Sequence, residues 1–336
     1  MRHANIAFFI PHSGCPHQCS FCDQRSITGQ RKQPAPEEVE QTLRQAADQM
    51  GDRARGAEVA FFGGSFTAVE TNYRRALLSA ASPFIRRGVF AGIRISTRPD
   101  AISPEILEEL QEAGVTAVEL GAQSMDDKVL LCNQRGHSSE DVENASRLIR
   151  SFGFSLGLQM MTGLYGSTPQ KDRETARRFL LLKPDTVRIY PTVVMAHTKL
   201  GELYHKGEYQ PPGLEETVVL CAELLQLFET HHIPVIRLGL HDTPQLHRDA
   251  IAGAIHPALR ELCENHIFLE NIRRRIRIDH IPLGKMILWV SPREISKAVG
   301  QKRSNVEALR RDGYEMTVKG DPFICPGDFW IEHLPQ

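Results

Sequence analysis

Hydrophobic and polar positions divide the chain into two patterns that meet near residue 245. Before that point, short apolar runs alternate with longer amphipathic stretches. The runs predict strands at residues 6–10, 58–62, 92–96, 117–120, 155–160 and 186–190, with 234–240 as a seventh. The stretches predict helices at residues 36–49, 72–86, 103–113, 138–151, 168–182 and 214–229. Such alternation predicts parallel strands with helical crossovers, so we expect an α/β fold built on a partial or complete (β/α) barrel.

After residue 245 the pattern becomes that of a small α/β domain. Residues 271–279 alternate apolar and basic side chains and predict a strand, as do residues 285–290 and 315–319. Ser291 and Pro292 open a predicted helix that runs to residue 311. We therefore predict two domains, a barrel at residues 1–245 and a small basic C-terminal α/β domain at residues 246–336.

Composition limits the class of protein. The 336 residues are 41% hydrophobic and 24% charged, as in ordinary globular proteins. We find no signal peptide and no apolar run of about 20 residues, so we expect a cytoplasmic protein without a membrane span. Seven cysteines without a secretion signal indicate a reducing compartment. A net charge of −1 gives no overall preference for nucleic acid, so an RNA-binding surface would have to be local.

Cys15, Cys19 and Cys22 form a C-x3-C-x2-C run directly after the first predicted strand. Three thiolates on one loop can hold three irons of a cubane iron–sulfur cluster, which leaves the fourth iron open to a small molecule. In α/β barrels, chemistry lies at the carboxyl ends of the strands. The loop follows a strand and therefore lies on the expected face.

Other interpretations of the cysteine spacing remain open. A zinc site would need a fourth ligand, for which His17 is a candidate. A spacing of i, i+4, i+7 also suits a buried helical stripe, although Gly14 and Pro16 favour a loop. The odd number of cysteines and the chain length argue against a disulfide framework. The other four cysteines are interpreted as buried thiols: Cys132, Cys221, Cys263 and Cys325.

A glycine turn, Gly63-Gly64-Ser65, follows the second predicted strand and would let a ligand approach the backbone. One strand after the cysteine loop, this turn completes a pattern that resembles the radical SAM superfamily. The resemblance implies a [4Fe–4S] cluster whose open iron is chelated by S-adenosylmethionine (SAM). It also implies a 5′-deoxyadenosyl radical that abstracts a substrate hydrogen, and an electron donor such as flavodoxin or ferredoxin.

The same resemblance assigns roles to individual residues. The implied cluster ligands, which are also the implied catalytic residues, are Cys15, Cys19 and Cys22. Phe21 would lie by the adenine of SAM, and the glycine turn would hold the methionine amino group through its carbonyls. The implied cofactor-binding residues are Phe21, Gly63, Gly64, Ser65, Thr67, Ser96, Gln123 and Arg135.

A narrower match extends over about residues 5–245. Four segments, at residues 97–100, 120–124, 133–137 and 188–192, are similar in order and spacing to the Elongator catalytic-subunit family. That family generally has an acidic residue where Ser96 stands, and a large acetyltransferase domain for which too few residues follow position 245. Part of the pattern also resembles oxygen-independent coproporphyrinogen oxidases.

The C-terminal segment carries a clue to the substrate. Residues 295–305 faintly resemble the helix–GxxG–helix core of KH RNA-binding modules, with Arg303 in place of the second glycine. The predicted RNA contacts are Lys297, Lys302, Arg303, Arg273 and Arg275.

We therefore predict a radical SAM enzyme that modifies RNA, with tRNA as the first candidate. The alternatives are a radical SAM oxidoreductase acting on a small molecule such as a tetrapyrrole, and a non-catalytic iron–sulfur RNA-binding protein.

Overall fold

The computed structural model describes residues 4–10, Cys15, residues 19–23 and residues 32–334. The chain forms two compact units. The first comprises Met1–Gly213 and Phe228–Ile255, and the second Leu214–Leu227 and His256–Gln336. One helix, Leu214–Thr230, therefore contributes to both units.

A seven-stranded parallel sheet forms the first unit, with its strands hydrogen-bonded in chain order. The strands are β1 (Ala4–Ile10), β2 (Ala57–Gly63), β3 (Gly92–Thr97), β4 (Val115–Gln123), β5 (Ser155–Thr162), β6 (Thr186–Pro191) and β8 (Val235–Leu238). A separate antiparallel pair joins β7 (Val193–Met195) to β9 (Ala250–Gly253). The Arg188 guanidinium of β6 lies 4.9 Å from the ring centre of Phe62 on β2, so the sheet curls back on itself. The prediction of a partial barrel is confirmed.

Helices occupy the crossovers between the strands. They are α1 (Pro36–Met50), α2 (Thr71–Arg86), α3 (Pro104–Glu112), α4 (Asp127–Cys132), α5 (Ser139–Ser151), α6 (Pro169–Leu182), α7 (Lys199–His205), α8 (Leu214–Thr230) and α9 (Pro244–Asp249). Local signals explain where they begin. Ser103 and Thr168 cap α3 and α6 with their hydroxyl oxygens, and a proline follows each cap at the first helical position.

The two faces of the sheet differ in exposure. In β6, Val187 and Ile189 are buried, whereas Arg188 and Tyr190 keep part of their surface in solvent. In β5, Gln159 is likewise partly exposed between buried neighbours. Because side chains alternate between the faces of a strand, one face is sealed by packing and the other lines a solvent-accessible concavity.

A three-stranded sheet and three helices form the second unit, together with its part of α8. The helices are α10 (Leu259–Ile278), α11 (Ile295–Val299) and α12 (Ser304–Arg311). The central strand, β10 (Gly284–Val290), pairs in parallel with β11 (Tyr314–Gly320) and antiparallel with β12 (Phe329–His333). The strands predicted at residues 285–290 and 315–319 are confirmed.

The strand predicted at residues 271–279 is wrong, because residues 271–278 lie in α10 and Asp279 caps its end. Phe268, Ile272 and Ile276 are all buried and recur every four residues, which is the spacing of one helix face. A window of nine residues was too short to separate a helical period from a strand period.

The single helix predicted over residues 291–311 is also wrong. It is interrupted at Gly300, where φ is 78°. Lys302 and Arg303 follow with φ values of 51° and 65°, a left-handed conformation that no helix can continue through.

Among the helices of the described part of the chain, none has the length and apolar character that crossing a membrane requires.

Candidate active site

Gly63 and Gly64 fix the end of β1, from which the cysteine loop leaves the sheet. Gly63 has a φ of 109°, and a Cβ on it would lie 3.1 Å from the backbone nitrogen and oxygen of Ile10. The Gly64 N–H donates a 2.8 Å hydrogen bond to the Ile10 carbonyl. A side chain at Gly63 would be strained and crowded, so the close approach of the two strands requires glycine.

The described part of the cysteine loop is held on two sides. Ser20 donates its N–H to the Asn133 carbonyl at 3.1 Å and its hydroxyl to the Asn133 side-chain oxygen at 2.8 Å. Its own carbonyl accepts the Leu200 N–H at 2.7 Å. The Cys22 N–H donates a 3.1 Å hydrogen bond to the Cys19 backbone carbonyl, which closes a turn between the two cysteines. The loop is therefore anchored to the segments that follow α4 and begin α7.

The three thiols influence one another electrostatically. Burial, followed by the neighbouring thiols of Cys19 and Cys15, raises the pKa of Cys22 to about 12. Burial and then Cys19 also raise the pKa of Cys15. The three thiols are thus within electrostatic range of one another, with Cys19 buried and Cys15 and Cys22 partly exposed. Thiolates in such a group need a bound cation or nearby positive charge to form.

Arg135 supplies positive charge at this place. Its Nη1 donates a 2.9 Å hydrogen bond to the Cys19 Sγ, and its Nη2 donates to the Gly121 carbonyl. The residues on either side of Arg135 have φ values of 53° and 70°, so the loop bends sharply around it. The Arg135 charge lowers the pKa of Cys22 and of Cys15, against the larger effect of burial.

A second arginine, Arg98, contacts the backbone of Arg135. Its guanidinium makes two 2.9 Å hydrogen bonds to Asp100, two residues further along the chain. Its Nη2 also donates to the Arg135 carbonyl at 2.7 Å. The positions of the two arginines are therefore linked.

Several buried polar atoms near the thiols lack a hydrogen-bond partner among the described residues. They are Arg98 Nη1, Gln123 Oε1, Arg135 Nε and His137 Nδ1. Buried polar atoms are normally paired, so such a group of unpaired atoms is suited to a polar ligand. With three thiols and a cation beside them, the residues fit an iron–sulfur cluster with a bound amino acid derivative such as SAM.

The other predicted cofactor-binding residues lie around the same strand ends. The hydroxyls of Ser65 and Thr67 bond to the Thr97 hydroxyl at 2.8 and 2.5 Å, so these side chains pin the glycine turn to β3. Because the hydroxyls of Ser65 and Thr67 are engaged in this way, the backbone groups of these two residues are the parts suited to bind a ligand. Gln123 ends β4 with a φ of 67°, and Ser96 is buried on β3.

Phe21 is half-buried and packs against the small cluster that contains Val194, Leu200 and Tyr209. The Arg135 guanidinium lies 5.9 Å from the centre of its ring. His17, the candidate fourth zinc ligand, lies outside the described residues. Within the described ranges, no three His, Cys, Asp or Glu side chains are placed to hold a single metal ion.

The cysteines outside the loop divide into two pairs. Cys221 and Cys263 are buried, as predicted. Cys132 and Cys325 are exposed, which corrects the prediction for them. Cys132 is the last residue of α4 and Cys325 follows β11, so both lie where the packing of an element ends.

Three of the five predicted RNA contacts are already in ion pairs within their own unit. Lys297 pairs with Glu264, Arg273 with Glu270 and Asp312, and Arg275 with Asp279. The C-terminal segment from residue 246 has 14 Lys and Arg residues against 12 Asp and Glu. Its basic character is therefore local and does not extend over the whole unit.

Lys302 and Arg303 are exposed and make no ion pair with a described residue. They precede α12, whose first turn is fixed by a 2.9 Å hydrogen bond from the Asn305 side chain to the Asn265 carbonyl. Arg273 instead bonds Asp312, beyond the other end of α12. An eight-residue helix is about 12 Å long, so the structure does not gather the five residues into one patch.

A buried ion network in the concavity was not predicted from the sequence. Arg94 bonds Glu58 at 2.7 Å and Glu119 at 3.3 Å. Arg188 Nη2 donates a 2.8 Å hydrogen bond to Glu119, and its Nε lies 2.7 Å from the other oxygen of that carboxylate, as an ion pair. The available signal was the charge at alternate positions of otherwise apolar strands, which places these side chains on one face.

Comparisons with known proteins agree with the fold and the motifs. The sequence profile of the Radical SAM superfamily matches residues 9–179, and that of the Radical_SAM C-terminal domain matches residues 184–287. Members of this superfamily are enzymes that use a [4Fe–4S] cluster and SAM.

Relatives named for the Elongator group match part of the chain, and a solved structure shares its fold. The tRNA uridine(34) acetyltransferase of Dehalococcoides mccartyi is 27% identical over 292 residues, which are 75% of this chain and 62% of that protein. Human Elongator complex protein 3 is 29% identical over 53% of this chain and 36% of its own length. The fold matches archaeal Elp3 from Methanocaldococcus infernus with a TM-score of 0.62 at 22% identity, over 81% of this chain and 64% of that one. The predicted resemblance is confirmed, and the chain spans less than two thirds of these relatives.

Proposed function

Because the chain belongs to the radical SAM superfamily, we propose that Cys15, Cys19 and Cys22 bind its [4Fe–4S] cluster and that the protein cleaves SAM. The observation that carries the proposal is the contact of Arg135 with the buried Cys19 sulfur at 2.9 Å, within electrostatic range of the thiols of Cys15 and Cys22. Cations beside a thiolate stabilise its charged form, which is the form that binds iron.

When bound, the cluster and SAM supply reductive cleavage of the sulfonium and abstraction of a hydrogen atom from the substrate. The chain's own residues bind and orient. Arg135 holds the Cys19 sulfur, and the glycine turn presents backbone groups beside the loop. The unpaired atoms of Arg98 and Gln123 are the groups with which we expect SAM to form hydrogen bonds.

We further propose that the substrate is RNA, with tRNA as the first candidate. Two features support this: the name of the Dehalococcoides relative, which states a tRNA uridine, and the exposed Lys302 and Arg303 in the loop between two helices. Phosphate contacts from such side chains add a salt-dependent term to binding.

SAM cleavage is tested on anaerobically reconstituted protein with dithionite and SAM. We expect 5′-deoxyadenosine from the wild type, and none from the Cys19→Ser variant. The matched control is Cys325→Ser, which changes an exposed cysteine in the other unit and should leave the product unchanged. A cluster-loaded wild type that forms no product, or a protein that holds zinc at these thiols, would refute the proposal.

RNA binding is tested by tRNA titration at several salt concentrations. The Lys302→Glu, Arg303→Glu double variant should lose affinity and show a shallower salt dependence. The matched control is Arg274→Glu, Arg277→Glu, which makes the same charge change at exposed positions of α10. Equal affinity of the first variant and the wild type would exclude this loop as the contact. Nucleoside mass spectrometry of RNA from cells with and without the gene then identifies the modification.

A further inference from the structure

Two arginines stand side by side on the concave face of the sheet. In the pairing of β6 with β8, Arg188 lies opposite Arg237. Arg188 faces the concavity, because it contacts Phe62 across it and pairs with Glu119. Paired residues on neighbouring strands point to the same side, so Arg237 faces the concavity as well. Like charges in this relation repel each other.

The nearby carboxylates do not balance these charges. Glu119 is 1% exposed and is shared between Arg94 and Arg188, while Glu58 pairs with Arg94. Two carboxylates therefore serve three arginines. Within the described part of the chain, Arg237 has no carboxylate within ion-pair distance.

Arg237 is instead held by backbone carbonyls. Its Nε donates to Gly239 at 2.9 Å and its Nη2 to Leu240 at 2.6 Å. Burial and the charge of Arg188 lower its pKa. The side chain is fixed in place as an uncompensated cation, which is the arrangement that an anion would stabilise.

Tyr190 and His241 add uncharged donors beside the arginines. Tyr190 is two residues after Arg188 on the same face. Burial raises its pKa, and the charges of Arg188 and Arg237 partly oppose that rise, so the phenol lies close to both arginines. His241 is exposed and follows Gly239 and Leu240, whose carbonyls hold Arg237. Partial burial and the same two charges lower its pKa, which favours the neutral imidazole with one N–H.

We propose that these four side chains, named the β6–β8 subsite, bind a phosphate group of the substrate nucleotide. The assignment rests on the proposed RNA function and extends it to the inside of the concavity. The guanidinium nitrogens not engaged with Glu119, Gly239 and Leu240, together with the phenol and the imidazole, offer donors from four side chains. The tetrahedral oxygens of a phosphate accept from more directions than the two coplanar oxygens of a carboxylate, so a phosphate suits this arrangement better.

The subsite is tested by calorimetric titration of the full-length reconstituted protein with uridine 5′-monophosphate, without reductant. Arg237→Gln should weaken binding about tenfold or more, because it removes a charge-assisted hydrogen bond. The matched control is Arg274→Gln, an exposed arginine of α10 in the other unit, which should bind as the wild type does. Tyr190→Phe keeps the shape and both cations, and should weaken binding less. If Arg237→Gln does not show the wild-type thermal unfolding transition, Tyr190→Phe is the variant that tests the subsite.

Each outcome decides the assignment. No binding by the wild type, or equal affinity of the variants and the wild type, would overturn it, as would uridine binding as tightly as its monophosphate. Stronger competition by succinate than by inorganic phosphate would make the subsite a carboxylate site and refute the nucleotide assignment. The titration needs no SAM turnover, so a failure to form 5′-deoxyadenosine would count against the proposed function and not against this site.

Discussion

Ser20 and Asn133 are joined by two hydrogen bonds, at 3.1 and 2.8 Å, although 113 positions separate them in the chain. Both residues are buried. Ser20 lies between two of the three loop cysteines, and Asn133 lies two residues before Arg135. The contact therefore holds the Cys19 sulfur and the guanidinium that bonds to it in a fixed relation.

Replacing Asn133 by alanine should lower the free energy of unfolding by about 2–3 kcal/mol. The change removes the acceptor of the Ser20 hydroxyl and also the donor that serves the Val129 and Tyr165 carbonyls at 2.8 and 2.9 Å. Ser20→Ala removes one of these bonds and should cost about 1 kcal/mol. Urea unfolding of both variants and the double variant gives the coupling energy, and strictly additive effects would show that the two side chains do not interact.

Glu119→Gln should be more damaging, with a loss of about 3–5 kcal/mol. The substitution keeps the volume but leaves the buried guanidinium groups of Arg94 and Arg188 without their shared charge. The matched control is Glu202→Gln. Glu202 pairs with Lys199 at 2.7 Å on the surface, so the loss of unfolding free energy in this variant should be hardly measurable. Similar unfolding free energies for the two variants would mean that the network is not a charge-balanced unit.

His137 should make the stability of the cluster-free protein depend on pH. Burial, followed by the charge of Arg135, lowers its pKa from 6.5 to about 4. Between these values the unfolded chain takes up a proton that the folded chain does not, so stability is complete above pH 6.5 and is lost as the pH falls towards 4. The loss is about 3 kcal/mol.

His137→Gln keeps a donor for the Ala122 carbonyl, which lies 3.2 Å from the His137 Nε2 in the wild type. The variant should therefore be less sensitive to acid. Unfolding free energies measured at pH 6.5 and pH 4 give the comparison, and equal losses in the two proteins would exclude a neutral, buried His137.

The sequence predicted those parts of the structure that depend on neighbouring positions. The barrel strands and helices have long, regular periods, and the cysteine loop and glycine turn are contiguous motifs. Contacts such as Ser20 with Asn133, or Arg94 with Glu119, join distant segments and leave no local pattern. The charged positions on the strands were visible, but their pairing depends on how the sheet curls.

The C-terminal unit shows the opposite error, in which a local pattern was misread. The alternation of arginine and isoleucine in residues 271–279 suits a strand over nine residues. The buried side chains of Phe268 and Ile272, with their four-residue spacing, show that the helical period prevails over the full length of α10. Burial against the sheet of this unit decides between the two, and the short window did not contain that information.

Lys302→Gly and Arg303→Gly should each stabilise the protein, by about 1 kcal/mol, because each relieves a left-handed backbone with a φ of 51° or 65°. The same variants should weaken tRNA binding, since each removes an exposed cation from the loop between α11 and α12. Chemical unfolding and tRNA titration of the same preparations measure the two effects. Lys302→Ala and Arg303→Ala are the matched controls, because they remove the charge and keep the strain. Should the glycine variants be no more stable than the alanine variants, the strain at this loop would be excluded; should all four bind tRNA as the wild type does, the loop would have no part in recognition.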